Sequence, residues 1–313
     1  MSETISLQIN KCKTYVDFML KQQQWSGLTK REVDQWLQNF RNLPPEELLL
    51  VYKLLANVIY FSENDVIDAL REGIHNCLYY DAILKQQIAS GFSMSQKALS
   101  NIATEEMEKT CFIPLLDSDS PHESGNYIIR TLVQQEIIPS GHSVFLDKLP
   151  ECFAKGIISR LVIVDDCVGS GHQLLSFWKD TTVEVNGQII TLQDLCANYG
   201  VEAHYLTLFG YDTNIKKLQA CYKNLNIHCV RMLTDSQRVF ADNAYIWKDS
   251  DEQNEAIRLF NELCREAGIP LYGYAGLDFA FIMHRTIPDW SLPLFWKENA
   301  DWKLLMRRKN SSG

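Results

Sequence analysis

Apolar residues recur at three- and four-residue spacing through the first hundred or so positions, as in Tyr15, Phe18 and Met19 and again in Val33, Trp36, Leu37 and Phe40. That period lays one face of a helix against a core. Thr29, with Glu32 three residues on, forms a capping box ahead of the helix carrying Trp36. Pro44, Pro45, Glu46 and Glu47 mark the next start, with proline in the first turn and acids at its positive end. The pattern predicts a buried helix over Leu48 to Phe61, then helices from about Asn64 to Ile88 and from Ser95 to Glu108. Strand signals are nearly absent here, so residues 1–108 are predicted to form a helical N-terminal region.

After Lys109 the texture changes. Cys111 to Leu116 is apolar, a polar loop follows to Gly125, and a helical run extends from Asn126 to Glu136. From Ser159 short β-rich runs alternate with helices, the pattern of a parallel sheet with crossover helices. The runs are Leu161 to Val164, Glu202 to Tyr211, Ile227 to Leu233 and Leu277 to His284. Helical runs lie between them at Gly171 to Lys179, Asn214 to Leu225 and Glu252 to Glu266. Asn186 and Gly187 are a tight-turn signal, so Thr181 to Ile190 is predicted to be a two-stranded insertion. The fold class is therefore α/β, with residues 109–313 as the sheet domain.

Composition narrows the partners. A formal net charge of -9 argues against a free-standing nucleic-acid binder, since neutralising phosphates takes a basic surface. It leaves open a protein partner, including one that itself carries nucleic acid. Nine cysteines without a C-x-x-C pair, a polar start and no long apolar run point to reduced thiols and a cytoplasmic location, with no membrane contact. Cys221, Cys229 and His228 lack zinc spacing, and no transition metal held by the protein is expected.

The chemistry concentrates where Leu161 to Val164 end in Asp165 and Asp166 and the chain turns through Gly169, Ser170 and Gly171 into a helix. Ligands of open α/β sheets collect at the carboxyl ends of strands. Glycines let backbone N–H groups converge on an anion, and the helix N-terminus favours negative charge. Two carboxylates facing that anion would repel it, so they face something else. Vicinal ribose hydroxyls suit them, and a Mg²⁺ ion shared with the ligand is a further partner. Phosphate on the loop and ribose on the acids describe a ribose 5-phosphate. The plainer alternatives are a Mg²⁺ carboxylate pair of another phosphate enzyme, or a solvated loop.

The segment from Val164 to Gln173 resembles the phosphoribosyl diphosphate loop of type I phosphoribosyltransferases, in which an apolar strand, two acids and two variable residues precede a small residue, Thr or Ser, Gly, any residue and Thr. Gln173 stands where that family has its last Thr. The resemblance implies a type I phosphoribosyltransferase-like parallel sheet flanked by helices. It implies that Asp165 and Asp166 hold the ribose hydroxyls as the catalytic acids, and that Gly169, Ser170, Gly171 and His172 surround the 5-phosphate, with backbone donors running from Val168 to His172. The family reaction displaces diphosphate from C1 of the ribose, with Mg²⁺ bound through the phosphoribosyl ligand rather than by the protein alone. The chain is also similar, over Ser124 to Arg130, the two-acid loop and Arg285 to Trp296, to phosphoribosyltransferase-like proteins of bacterial conflict systems, including effectors of some retron anti-phage loci. That likeness implies a toxin effector acting on phosphoribosyl diphosphate or a nucleotide, held by a protein or reverse-transcriptase complex at its N-terminal helices. A non-catalytic nucleotide sensor and a scaffold are the competing expectations.

Two further places attract attention. Ser124 and Gly125 at a helix head, with Arg130 one and a half turns on, read either as a second anion site suited to the diphosphate or as an ordinary cap with a surface arginine. His122 lies near the same stretch. Asp289 and Trp290, in the proline- and tryptophan-rich run from Thr286 to Trp296, read either as a base pocket with Trp290 stacking or as core packing.

Overall fold

The computed structural model describes residues 3–116, 124–299 and 301–308. In chain order, α1 (Glu3–Lys21), α2 (Lys30–Leu37), α3 (Pro45–Ala56), β1 (Ile59–Phe61) and α4 (Glu63–Glu72) come first. A π-helical stretch at Gly73–Leu78 leads into α5 (Tyr80–Ala89), α6 (Gln96–Glu108), β2 (Thr110–Pro114), α7 (Ser124–Gln134) and α8 (Leu149–Ala154). Then come β3 (Arg160–Val168), α9 (His172–Asp180), the hairpin β4 (Thr182–Val185) and β5 (Gln188–Thr191), and α10 (Leu192–Tyr199). β6 (Glu202–Tyr211), α11 (Asp212–Cys221), β7 (Asn226–Leu233), α12 (Ser250–Glu266) and β8 (Phe281–Met283) complete the elements.

The contacts divide this chain into two units, and the division does not follow the expected boundary after residue 108. One unit joins the first 65 residues to those from Thr234 onward; the other runs from Val66 to Leu233. Helical texture misplaced the boundary because it reports local periodicity, whereas a unit is defined by whose apolar faces are buried together. In the first unit α2 and α3 bury theirs against the C-terminal segment. Trp36 packs on Phe40 and Phe295 and donates Nε1–H to the Leu294 carbonyl at 2.9 Å, the same oxygen that Trp302 reaches at 2.8 Å. The capping box of Thr29 and Glu32 is present at the start of α2.

Two strand expectations change for the same reason. The helix predicted from Leu48 to Phe61 ends at Ala56, and Ile59 to Phe61 form β1, which pairs in parallel with β8. The run from Leu277 to His284 therefore leaves the main sheet, contributing only β8, and its partner lies more than two hundred residues away in sequence. No local pattern announces a pairing of that span. The buried Asp278 in the same run ion-pairs with Arg238 and accepts the Phe240 N–H at 2.6 Å, which ties the entry to β8.

The second unit carries the α/β architecture. Its sheet has four parallel strands in the order β2-β3-β6-β7. Fully buried Cys111, Ile113, Leu161, Ile163 and Tyr205 face one side, in a core built with α8, α9, α10 and α11. On the other side the π-helical stretch approaches closely enough that a Cβ at Gly73 would meet Leu206 and Val230 at about 3 Å. The sheet is thus covered on both faces, as parallel sheets require. The β4–β5 hairpin forms as predicted, with Asn186 and Gly187 both at positive φ in its turn.

Candidate functional site at the end of β3

β3 runs past its expected end at Val164 through both acids to Val168, with Asp165 in register with Thr207 and Val168 with Gly210 of β6. Asp165 and Asp166 are consequently buried, at 4% and 6% exposure. Asp165 Oδ2 accepts the Tyr205 hydroxyl at 2.8 Å and Oδ1 accepts the Asp166 N–H at 2.9 Å, while Asp166 Oδ1 accepts the Cys167 N–H at 2.7 Å. Burial, and then the neighbouring Asp166 carboxyl, hold the Asp165 pKa well above the ordinary carboxylate range; the bonds from Tyr205 and the Asp166 N–H pull the other way. Burial and Asp165 likewise push the Tyr205 phenol well above its usual value. The pair resists carrying two negative charges, and a ligand offering hydroxyl donors or a cation relieves that resistance.

The loop that follows is built as predicted in its backbone and differs in its details. Val168 is 5% exposed and its side chain belongs to the core, against the position a Cβ would take at Gly210. Gly169 accepts a hydrogen bond from Asn214 Nδ2 at 2.8 Å. Ser170 Oγ accepts the His172 N–H at 3.3 Å, so that amide is turned onto the loop itself. Gly171 caps α9 at φ 82°, and a Cβ there would lie 2.8 Å from Leu218 of α11, so both backbone and space require glycine. Leu175 N–H to Gly171 O at 3.1 Å begins the main-chain bonding of α9. His172 and Gln173 are exposed on its first turn.

The second anion site is only partly described. α7 begins at Ser124, and a Cβ on Gly125 would meet the Leu115 carbonyl at 2.3 Å, so close packing onto the end of β2 accounts for this glycine. Leu115 N–H bonds to the Val164 carbonyl at 2.9 Å, which sets the start of α7 beside the strand that carries the acids. Arg130 lies on the exposed face of α7. The Ser124 side chain and His122 lie outside the described residues.

The base-pocket residues belong to the first unit, not to the unit that carries the loop. Trp290 is 4% exposed, with Phe281 at 4.9 Å and Phe279 edge-on at 5.5 Å. Its ring is occupied by core packing and is not available for stacking on a base. Asp289 is part-exposed and lies 3.8 Å from Arg308. A cavity of about 770 Å³ also lies in the first unit, between α2 and the segment around Trp302 and Lys303, and its lining contains none of the predicted residues. That cavity lacks the buried acids and the glycine-capped helix start that meet in the loop after β3.

Three side chains at the loop have no signature in the sequence. Tyr205, Asn214 and Leu218 come from β6 and α11, and each looks locally like an ordinary strand or helix residue. A phenol within the apolar run from Glu202 to Tyr211 was the one available hint. Among the described residues no three His, Cys, Asp or Glu side chains gather as a metal cage, and no helix is long and apolar enough to cross a membrane. The nine cysteines are free thiols.

Comparison with known proteins agrees with this geometry at the level of family. No curated protein matches the chain. Among solved structures, an orotate phosphoribosyltransferase from Aeropyrum pernix aligns at 14% identity with a TM-score of 0.24, over 41% of this chain and 62% of that one; a likeness so slight carries no argument here. The PRTase-CE family model matches residues 33–308, which takes in both units, the two-acid loop and the segment through Trp296. The chain belongs to the PRTase-CE family.

Proposed function

We propose that the loop after β3 binds a 5-phosphorylated ribose and that the protein acts on phosphoribosyl diphosphate or a nucleotide. The observation that carries this reading is the junction of two buried acids with a glycine-capped helix start at Gly171, all within one strand-loop-helix passage. In this reading Asp165 and Asp166 take the ribose hydroxyls. The backbone from Gly169 to His172 takes the phosphate, with Gln173 at its edge and the start of α7, including Ser124, Gly125 and Arg130, toward the diphosphate. Mg²⁺ would be carried by the ligand rather than caged by the protein, since Asp165 and Asp166 already accept peptide N–H bonds. When bound, the ion supplies charge neutralisation at the leaving group.

Transfer breaks the bond from C1 to the diphosphate oxygen and forms one from C1 to an acceptor, through a sugar that bears positive charge. Buried acids beneath the ribose stabilise that charge, and positioning supplies the rest. The resemblance to conflict-system proteins extends the proposal to an anti-phage effector of retron type, docked through its N-terminal helices to a protein or reverse-transcriptase complex. A non-catalytic nucleotide sensor is the second reading. It is favoured by Gln173 in place of a threonine and by the commitment of both Asp165 oxygens to internal donors.

Calorimetry with phosphoribosyl diphosphate, with and without Mg²⁺, tests the proposal. The native chain is expected to bind, and a folded protein carrying Asp165→Asn and Asp166→Asn is expected not to. Equal binding by both would remove the acids from the site. Binding without turnover on any nucleobase or nucleotide tried would favour the sensor.

A further inference from the structure

Between Gly169 and Gly171 the loop is held from outside at two points, both on α11. Asn214 Nδ2 donates to the Gly169 carbonyl at 2.8 Å, and the Leu218 side chain packs where a Cβ of Gly171 would lie. The two residues are four apart, so they occupy one face of α11 on successive turns. Ile215, between them, is buried against Gly210 beside Val168.

A peptide unit is planar and, in the described residues, trans, so its C=O and N–H point in opposite directions. Anchoring the Gly169 carbonyl on Asn214 therefore turns the Ser170 N–H away from α11. Glycine at 169 makes this unit easy to flip, because rotation about its ψ meets no Cβ. Flipped, the same peptide would present a carbonyl oxygen to an anion. The His172 N–H is turned onto Ser170 Oγ at 3.3 Å, so the orientation of the Ser170 amide matters the more.

We propose that Asn214 is a positioning residue for the phosphate loop: it fixes the Gly169–Ser170 peptide so that the Ser170 N–H faces a bound phosphate. This rests on the reading of the loop as the 5-phosphate site. The contribution is preorganisation, since an amide already aimed at the anion does not have to be ordered on binding. The sequence places Asn214 only as an early helix residue, and its role follows from the carbonyl it touches.

The test is a backbone-amide magnetic resonance titration of the full chain with ribose 5-phosphate and, as the control lacking phosphate, ribose. In the native chain ribose 5-phosphate moves the Ser170 amide proton downfield and ribose does not. Asn214→Ala is expected to weaken ribose 5-phosphate about tenfold, the effect of losing one well-placed hydrogen bond to an anion, and to abolish the Ser170 shift. Ribose affinity stays as it was. Asn214→Ser, which keeps a shorter donor, falls between and serves if the alanine variant is poorly folded. Undiminished ribose 5-phosphate affinity in the variants, or equal losses for both sugars, overturns the role of Asn214 and leaves the site standing. A native chain that binds no ribose 5-phosphate overturns the phosphate-loop reading and this inference together.

Discussion

Asp165 and Tyr205 illustrate how a buried ionisable group is held at a cost to stability. A carboxyl whose folded pKa is raised contributes stability below its unfolded pKa and loses it as pH climbs through the raised value. Asp165 is such a group, so at neutral pH its ionisation opposes folding. Asp165→Asn keeps an oxygen for the Tyr205 hydroxyl and removes the charge. It is expected to raise the stability of the folded chain by roughly 1–2 kcal/mol, the gain commonly found when a strained site is relieved, while abolishing phosphoribosyl diphosphate binding. Urea unfolding and calorimetry on the same preparation check both halves, and a destabilised variant would refute the burial argument. That Asp165 follows an apolar run ahead of a glycine turn was legible in the sequence. Its proton balance was not, because burial, the largest cause of the shift, is set by the packing of the folded chain around it.

At the scale of elements, β6 and β7 carry a polar pair on the sheet, with His204 buried and His228 half-buried. His204 and His228 stack with 3.0 Å between Nδ1 and Nε2, and Arg160 Nε donates to His204 Nε2 at 3.2 Å. With that nitrogen accepting, the proton of neutral His204 sits on Nδ1 and points at His228. Burial, then His228 and Arg160, lower His204 to about 3; burial also lowers His228, against the nearby Asp81. A histidine with a depressed folded pKa gives up stability as pH falls, because the unfolded state takes the proton first. The contribution of this pair to stability is therefore expected to be level above about pH 6.5 and to decline below it, with a slope of up to ~1.4 kcal/mol per pH unit for each histidine. Chemical denaturation between pH 7 and 5 measures this, and replacing both histidines with asparagine should flatten the curve. The strands themselves were readable from their β-rich runs. The pairing of two histidines across them was not, since it depends on the register of β6 against β7.

At the scale of the molecule, the order of segments along the chain and the grouping of cores disagree. The core of the first unit draws on Val16 to Val58 and on Val239 to Met306, whereas the core on one face of the α/β sheet draws on residues between Cys111 and Ile227. The continuous unit builds that core within one stretch of chain. A fragment from Ser62 to Leu233 is expected to unfold cooperatively on heating, followed by circular dichroism. The first 65 residues expressed alone should be insoluble or unfolded, because Trp25 and Trp36 lose the C-terminal half of their core. A well-folded N-terminal fragment would contradict that grouping.

Periodicity, caps and turn residues are local properties, and they were sufficient for α2, α6, α7, α9, α11 and α12, the start of α3, the hairpin at Asn186 and Gly187, three of the four main strands and the glycine turn into α9. Each rests on neighbours within a few residues, whose spacing alone dictates which face is buried or which φ is needed. Other features required the folded chain: β1 with β8, Trp290 in the core, the Tyr205 hydroxyl on Asp165, and Asn214 on the Gly169 carbonyl. Those contacts join residues tens to hundreds of positions apart, and an individual side chain carries no mark of the distant atom it will meet. The apolar strand, its acids and the glycine turn were thus written along the chain, while the protonation and aim of the groups there are properties of packing.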